Sequence, residues 1–330
     1  MTAAPSPRAT QRQGTTQSAS TQLQGTSSRE QAGTRVDRGV LRGGGPLFRV
    51  SVVLAVAMVL AQIAYPLTTD SHRPALTVGT VMIFAAASLS HAAAVRGLRW
   101  TGAYAVTVVC VGLGAEVLGV KTGVPFGEYA YADSLGPTLW GVPVVIPAAW
   151  TMMAYPAYVV ARHLVPHCRL VRVGVAAWAL ATWDLFLDPQ MVGEGHWSWA
   201  DQGPQATALL ETALPGVPDI PVSNYLGWLT VGLLIMSLVE ASARLAPPTT
   251  GRLSVGPDWV PLGMYLWTYF SSLMAAVVFF GNPGAALWGG LAMGSVAIPT
   301  LVYVITTSRT GNGASAADEV PSAPAGASSG

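Results

Sequence analysis

Three carboxylates supply the chemistry that this sequence can perform in apolar surroundings: Glu116, Asp184 and Asp188. Glu116 interrupts the run Val-Cys-Val-Gly-Leu-Gly-Ala-Glu-Val-Leu-Gly-Val, and Asp184 and Asp188 flank Leu-Phe-Leu. The four-residue spacing places the two aspartates on one face of a helix. An ionised side chain inside a membrane segment costs roughly 2.5–3.5 kcal/mol on insertion scales, so each such residue is a functional candidate by default. Like charges in a low dielectric cannot all ionise, and a cluster of these groups should hold a proton. A protonated carboxyl beside an ionised one is a general acid with a general base next to it. Two plainer accounts compete: Glu116 forms a structural ion pair with Lys121 or Arg73, and Asp184 caps a backbone turn. His91 is read as a polar residue hydrogen-bonded across helices near the opposite end.

The elements that must position these groups follow from composition. Only 10% of the 330 residues are charged, against roughly 25% in ordinary globular chains, and apolar residues make up 51%. Mean hydropathy is +0.45. A soluble chain is excluded, and a net charge of +1 gives no bulk basic character for nucleic acid. Eight apolar stretches approach the length of about 20 residues needed to cross a bilayer: 48–67, 75–95, 100–120, 139–160, 171–188, 221–240, 259–280 and 285–306. The fifth is the weakest, so the count is eight, or seven without it. Pro299 should kink the eighth rather than end it. The reading is an all-α polytopic membrane protein with no soluble domain: a single helical domain over 47–307 between disordered tails at 1–46 and 308–330. No cleavable signal peptide is expected, since the first long apolar run begins near Leu47.

Fifteen of the seventeen basic residues fall in the N-terminal tail and in alternate loops; only Arg73 and Lys121 fall on the other side. By the positive-inside rule this puts both termini in the cytoplasm of a multi-pass protein of the bacterial cytoplasmic membrane. Glu116 then lies about 7 Å below the outer end of its helix and Asp184 about 6 Å below the end of its own, at 1.5 Å per residue. The outer loops there are rich in Gly, Pro and aromatics: Gly119 to Tyr131, Trp140-Gly-Val-Pro143, His196-Trp-Ser-Trp199 and Pro221 to Trp228. An interfacial aromatic belt explains the residue types. A lid over a lipid-accessible pocket also explains why they gather on the face of the carboxylates.

There is no phosphate-binding loop, no His-Glu-x-x-His, no histidine cluster and no aspartate-rich pair for a magnesium diphosphate, so neither metal nor cofactor is expected. Cys110 and Cys168 read as unpaired thiols. What remains is proton transfer and water.

Thr122-Gly-x-Pro-Phe-Gly-x-Tyr-x-Tyr131, Leu135-Gly-Pro, Gly141-Val-Pro-x-x-Ile-Pro-x-x-Trp150, Asp184-x-x-x-Asp188-Pro and Pro221-x-Ser-Asn224-x-x-Gly-Trp228 together resemble the membrane carotenoid 1,2-hydratases, the family of bisanhydrobacterioruberin hydratase and the γ-carotene and lycopene 1',2'-hydratases. The resemblance covers nearly all of 50–305 in topology and is concentrated in those blocks. It implies addition of water to the terminal 1,2 double bond of an acyclic carotenoid end group: protonation at C2 gives a tertiary cation at C1, which water captures. Under it, Glu116 or Asp184 supplies the proton, and the other carboxylates, Asp188 among them, position water. Asn224 and Tyr129 orient that water or a carboxyl group. Trp150, Trp183 and Trp228 offer faces to the cation. The implied partners are a lipophilic carotenoid, membrane lipids and other enzymes of carotenoid biosynthesis. Two other classes stay open: a small transporter or channel using the carboxylates as ligands, although no internal repeat is present, and a carotenoid end-group cyclase, which protonates and then excludes water.

Overall fold

The computed structural model describes residues 1–2, 45–200, 212–246 and 255–317. Most of both predicted tails, and the loop residues Asp201, Glu211 and Arg252, lie outside the described residues. From Gly45 onward the chain is almost entirely helical: α1 (Pro46–Ala64), α2 (Arg73–Arg96), α3 (Leu98–Thr122), α4 (Val145–Leu164), α5 (Arg169–Ala181), α6 (Asp184–Gly193), α7 (Val222–Ala241), α8 (Val255–Val278) and α9 (Pro283–Ala317). Among the described residues, seven helical segments are long and apolar enough to cross a membrane, with α5 and α6 together forming one of them. The chain is a multi-pass membrane protein.

The expected span that this set leaves out is not the weak fifth but the fourth, 139–160, which forms α4, and it differs from the others for a physical reason. Seventeen of its twenty residues are buried, including Trp150, Tyr155, Tyr158 and Pro156. It packs against α2, α3, α5 and α8. A helix enclosed by protein meets little lipid, so its composition follows packing needs rather than hydrocarbon solubility. By contrast α1 buries only Phe48, Ser51 and Met58 of nineteen residues and presents Val53, Val56 and Leu60 outward.

One boundary differs from expectation. The fifth span reads as fifteen residues from Val173 to Leu187 within 171–188, whereas the helix runs on through Pro189 to Gly193. It is also broken by a turn at Thr182-Trp183, where the Thr182 hydroxyl donates to the Trp178 carbonyl at 2.8 Å. Asp184 therefore opens α6 nine residues before its end, about 14 Å in rather than 6 Å. The last helix passes through Pro299 without ending. The two cysteines are free.

The loops beyond α3, α6 and before α7 are not irregular throughout. They form three two-stranded antiparallel ladders: β1 (Tyr129–Tyr131) with β4 (Trp197–Trp199), β2 (Thr138–Leu139) with β3 (Val142–Pro143), and β5 (Ala213–Leu214) with β6 (Val217–Pro221). In the first, Tyr129 faces Trp199 and Tyr131 faces Trp197. Side chains two apart in a strand share a face. The Tyr-x-Tyr and Trp-x-Trp repeats thus set four aromatic rings against each other, with Tyr129 and Trp199 centroids 5.7 Å apart and Tyr131 and Trp197 also 5.7 Å apart. This ladder roofs the bundle.

Candidate active site

Glu116 projects from α3 into the space under that roof and is buried. Its carboxylate accepts three hydrogen bonds: Tyr129 Oη at 2.5 Å and Tyr131 Oη at 2.8 Å, both to Oε2, and Trp150 Nε1 at 2.9 Å to Oε1. Burial and then the Glu116 charge raise the Tyr129 and Tyr131 phenols well above the ordinary range, so both remain donors at any physiological pH. The approach depends on missing side chains. A Cβ on Gly119, one turn beyond Glu116, would stand 2.8 Å from the Phe126 ring and 2.9 Å from Tyr129 Oη; one on Gly227 of α7 would stand 2.7 Å from Phe126. α3 itself stops at Gly123, whose φ of +74° suits a residue without a Cβ.

Asp184 and Asp188 lie one turn apart on α6, both buried. One side chain from another helix holds them: Asn224 Nδ2 of α7 donates to Asp184 Oδ2 at 2.8 Å and to Asp188 Oδ2. Bonding to the same amide nitrogen brings one oxygen of each carboxyl group close to the other. Trp197 Nε1, from the roof, donates to Asp188 Oδ1 at 3.2 Å. Asp184 Oδ1 is buried with no partner. Asp184 also opens α6, at the helix end where backbone N–H groups favour negative charge.

Among the described residues no cation pairs with any of the three carboxyl groups. Lys121 forms no ion pair there, and Arg73 engages Asp70 at 3.0 Å and Glu194 at 3.3 Å, which removes the ion-pair account of Glu116. The capping account of Asp184 also gives way, since its Oδ2 accepts from Asn224 and its Oδ1 has no partner. No group of three His, Cys, Asp or Glu among the described residues is placed to hold a metal ion.

Glu116 and Asp188 border a cleft with about 670 Å³ of empty space, open solvent included, whose other walls are mostly apolar and aromatic. Trp150 and Trp228 stack with centroids 4.0 Å apart, and Trp183 meets Trp228 edge-on at 6.1 Å. Of the eight residues singled out by sequence, Glu116, Asp188, Tyr129, Trp150, Trp183, Asn224 and Trp228 line this cleft, and Asp184 sits behind Asp188. Sequence reasoning missed Tyr131 and Trp197 as direct partners of carboxylates. The period-two spacing with Tyr129 and Trp199 was the available signal.

His91 lies in a second buried network, as its plainer reading expected. Its Nδ1 meets Tyr155 Oη at 2.8 Å and its Nε2 the Pro257 carbonyl at 2.7 Å. Arg96 donates to both oxygens of Asp258 at 3.2 Å, and His163 Nε2 contacts Asp258 Oδ2 at 3.0 Å. Arg96 reads as a loop cation in the sequence; α2 extends through it and buries it.

A family model described as "Carotenoid biosynthesis protein" matches residues 77–296, two thirds of the chain. The chain is also similar to the bisanhydrobacterioruberin hydratase of Haloarcula japonica, with 30% identity over 146 residues, 43% of this chain and 45% of that protein. The match thus spans less than half the length of that relative. No solved structure matches the chain.

Proposed function

The chain belongs to the carotenoid biosynthesis protein family, and from that premise we propose that it hydrates the terminal 1,2 double bond of an acyclic carotenoid end group. The observation that carries this reading is a cation-free set of three buried carboxyl groups, two of which, Glu116 and Asp188, border an apolar cleft walled by stacked tryptophans.

The roles follow from the hydrogen bonds. Like charges held side by side in a low dielectric do not both ionise, so the Asp184–Asp188 pair, tied by one amide nitrogen, is the proton store. Asp188 faces the cleft and is the acid; Asp184, behind it, and Asn224 hold the pair together. Glu116, saturated by three donors, is the anion. The Asp188 proton bonds to C2 as the π bond breaks, and positive charge develops at C1. The indole faces and the Glu116 charge stabilise that cation. The oxygen of a water molecule then bonds to C1, and the proton it loses returns to the aspartate pair. Tyr129, Tyr131, Asn224 and Trp197 give the cleft the polar edge that a reacting water needs, which favours hydration over cyclisation.

The charge bias of the loops supports a cytoplasmic-membrane enzyme with both termini in the cytoplasm and the site near the outer face. Expression in bacteria that make lycopene tests the reaction: a pigment heavier by the mass of one water is the expected product. An isomer of unchanged mass indicates cyclisation, and unchanged lycopene removes the proposal.

A further inference from the structure

A second cavity, with about 1260 Å³ of empty space, lies between α1, α2, α6 and α8. Its inner wall is common to the carboxyl cleft: Thr77, Val81, Met152, Trp183, Leu187 and Met191 line both. Its rim carries Ile63, Leu67, Met274 and Phe279, all exposed. Exposed apolar side chains on a membrane-spanning helix face lipid, so the mouth opens sideways into the bilayer.

Several of the polar residues in this wall are already engaged. Trp267 Nε1 donates to Gln62 Oε1 at 2.7 Å, the Thr77 hydroxyl to the Arg73 carbonyl at 2.9 Å, and the Thr268 hydroxyl to the Met264 carbonyl at 2.8 Å. A hydrocarbon can lie against such groups without leaving them unsatisfied. Thr80 differs, since its hydroxyl oxygen is buried without a partner.

We propose that this cavity is the slot that holds the polyene chain, entered from the lipid between α1 and α8, with the end group reaching the carboxyl cleft across the shared wall. The inference rests on the hydration reading for the identity of its occupant. The alternative occupant of a lipid-facing slot, a phospholipid acyl chain, is separated from it by experiment.

Ala275 lines the slot and not the cleft, so Ala275→Trp narrows the slot without touching a carboxyl group. The full chain, in membranes, is given lycopene or an acyclic sesquiterpene hydrocarbon with the same isopropylidene end. The expected result is a loss of about tenfold or more in lycopene hydration and a much smaller loss with the short substrate, because remote binding energy is lost only where there is a remote chain. Leu291→Trp, on an exposed face of α9 away from both cavities, leaves both rates unchanged. Equal loss on both substrates, or full retention on lycopene, overturns the slot. A photo-crosslinking residue at position 274, illuminated in membranes containing lycopene, supplies a readout independent of turnover and of the Trp variant's folding. A lycopene adduct at 274 and none at 291 supports the slot even if no hydration is ever detected. A phospholipid adduct alone, or none, overturns it.

Discussion

The central helix α4 touches a buried charge cluster at each end, and the two clusters are built on opposite principles. Near its start, Trp150 donates to Glu116, one of three carboxyl groups with no cationic partner among the described residues. Further along, Tyr155 and His163 join Arg96, Asp258 and His91, where anion and cation face each other and hydrogen bonds tie three helices together. Arg96 also lies about 6 Å from the faces of Trp100, Tyr155 and Tyr158. Burial is equally deep in both. What separates them is charge balance and access: the second cluster is compensated internally, and the first borders a cleft. Buried charge alone therefore does not mark a reactive site. Uncompensated charge beside empty space is the feature on which the proposed site rests.

Substitutions should break this contrast in a defined order. Asp188→Asn removes the proposed acid and should lower hydration about a thousandfold, the middle of the range for general acid catalysis, with little change in melting behaviour; pigment mass analysis alongside a thermal unfolding curve reads both. Glu116→Gln belongs to the same class, and retained turnover in both variants would sink the site assignment. Asp258→Ala should do the reverse. It leaves Arg96 buried and unpaired, at a cost of about 3–5 kcal/mol, so the yield of folded protein in the membrane falls while turnover per folded molecule holds. Replacing Arg96 and Asp258 together by apolar residues of similar size should recover much of that loss, which a denaturation series on the single and double variants would detect. Asn224→Leu unties the aspartate pair and should lower turnover about a hundredfold; a variant matching wild type would show that the pair needs no tie. Tyr131→Phe removes one of three donors to Glu116, worth roughly 1.5–3 kcal/mol for a bond to a charged group. It should reduce turnover by about tenfold, the smallest effect of the set, measured as initial rates in isolated membranes.

Much of this was legible because lipid imposes strong rules on composition. The spans follow from hydropathy and loop charge, and Glu116 and Asp184 draw notice because charge among apolar neighbours is costly. The extent of α6 was not legible: the apolar run ends at Leu187, yet the helix continues, and a membrane helix tolerates Pro189 where neighbours satisfy the freed carbonyl. The roof escaped because ladders of two or three residues carry too little periodicity to register, apart from Tyr-x-Tyr and Trp-x-Trp. The partnership of Arg96 with Asp258 spans 162 positions, and no local pattern encodes it. Asn224 could be singled out by resemblance, but its role as the tie between two aspartates needed the packing of α7 on α6.

Asn224's grip on both aspartates has a bioenergetic consequence. In the proposed hydration the pair lends one proton to carbon and regains it from water, so no net charge moves through the bilayer. Neither the electrical potential nor the pH difference across the membrane then enters the free energy of the reaction. Conversion of the pigment should proceed alike in respiring cells, in starved cells and in vesicles treated with an uncoupler.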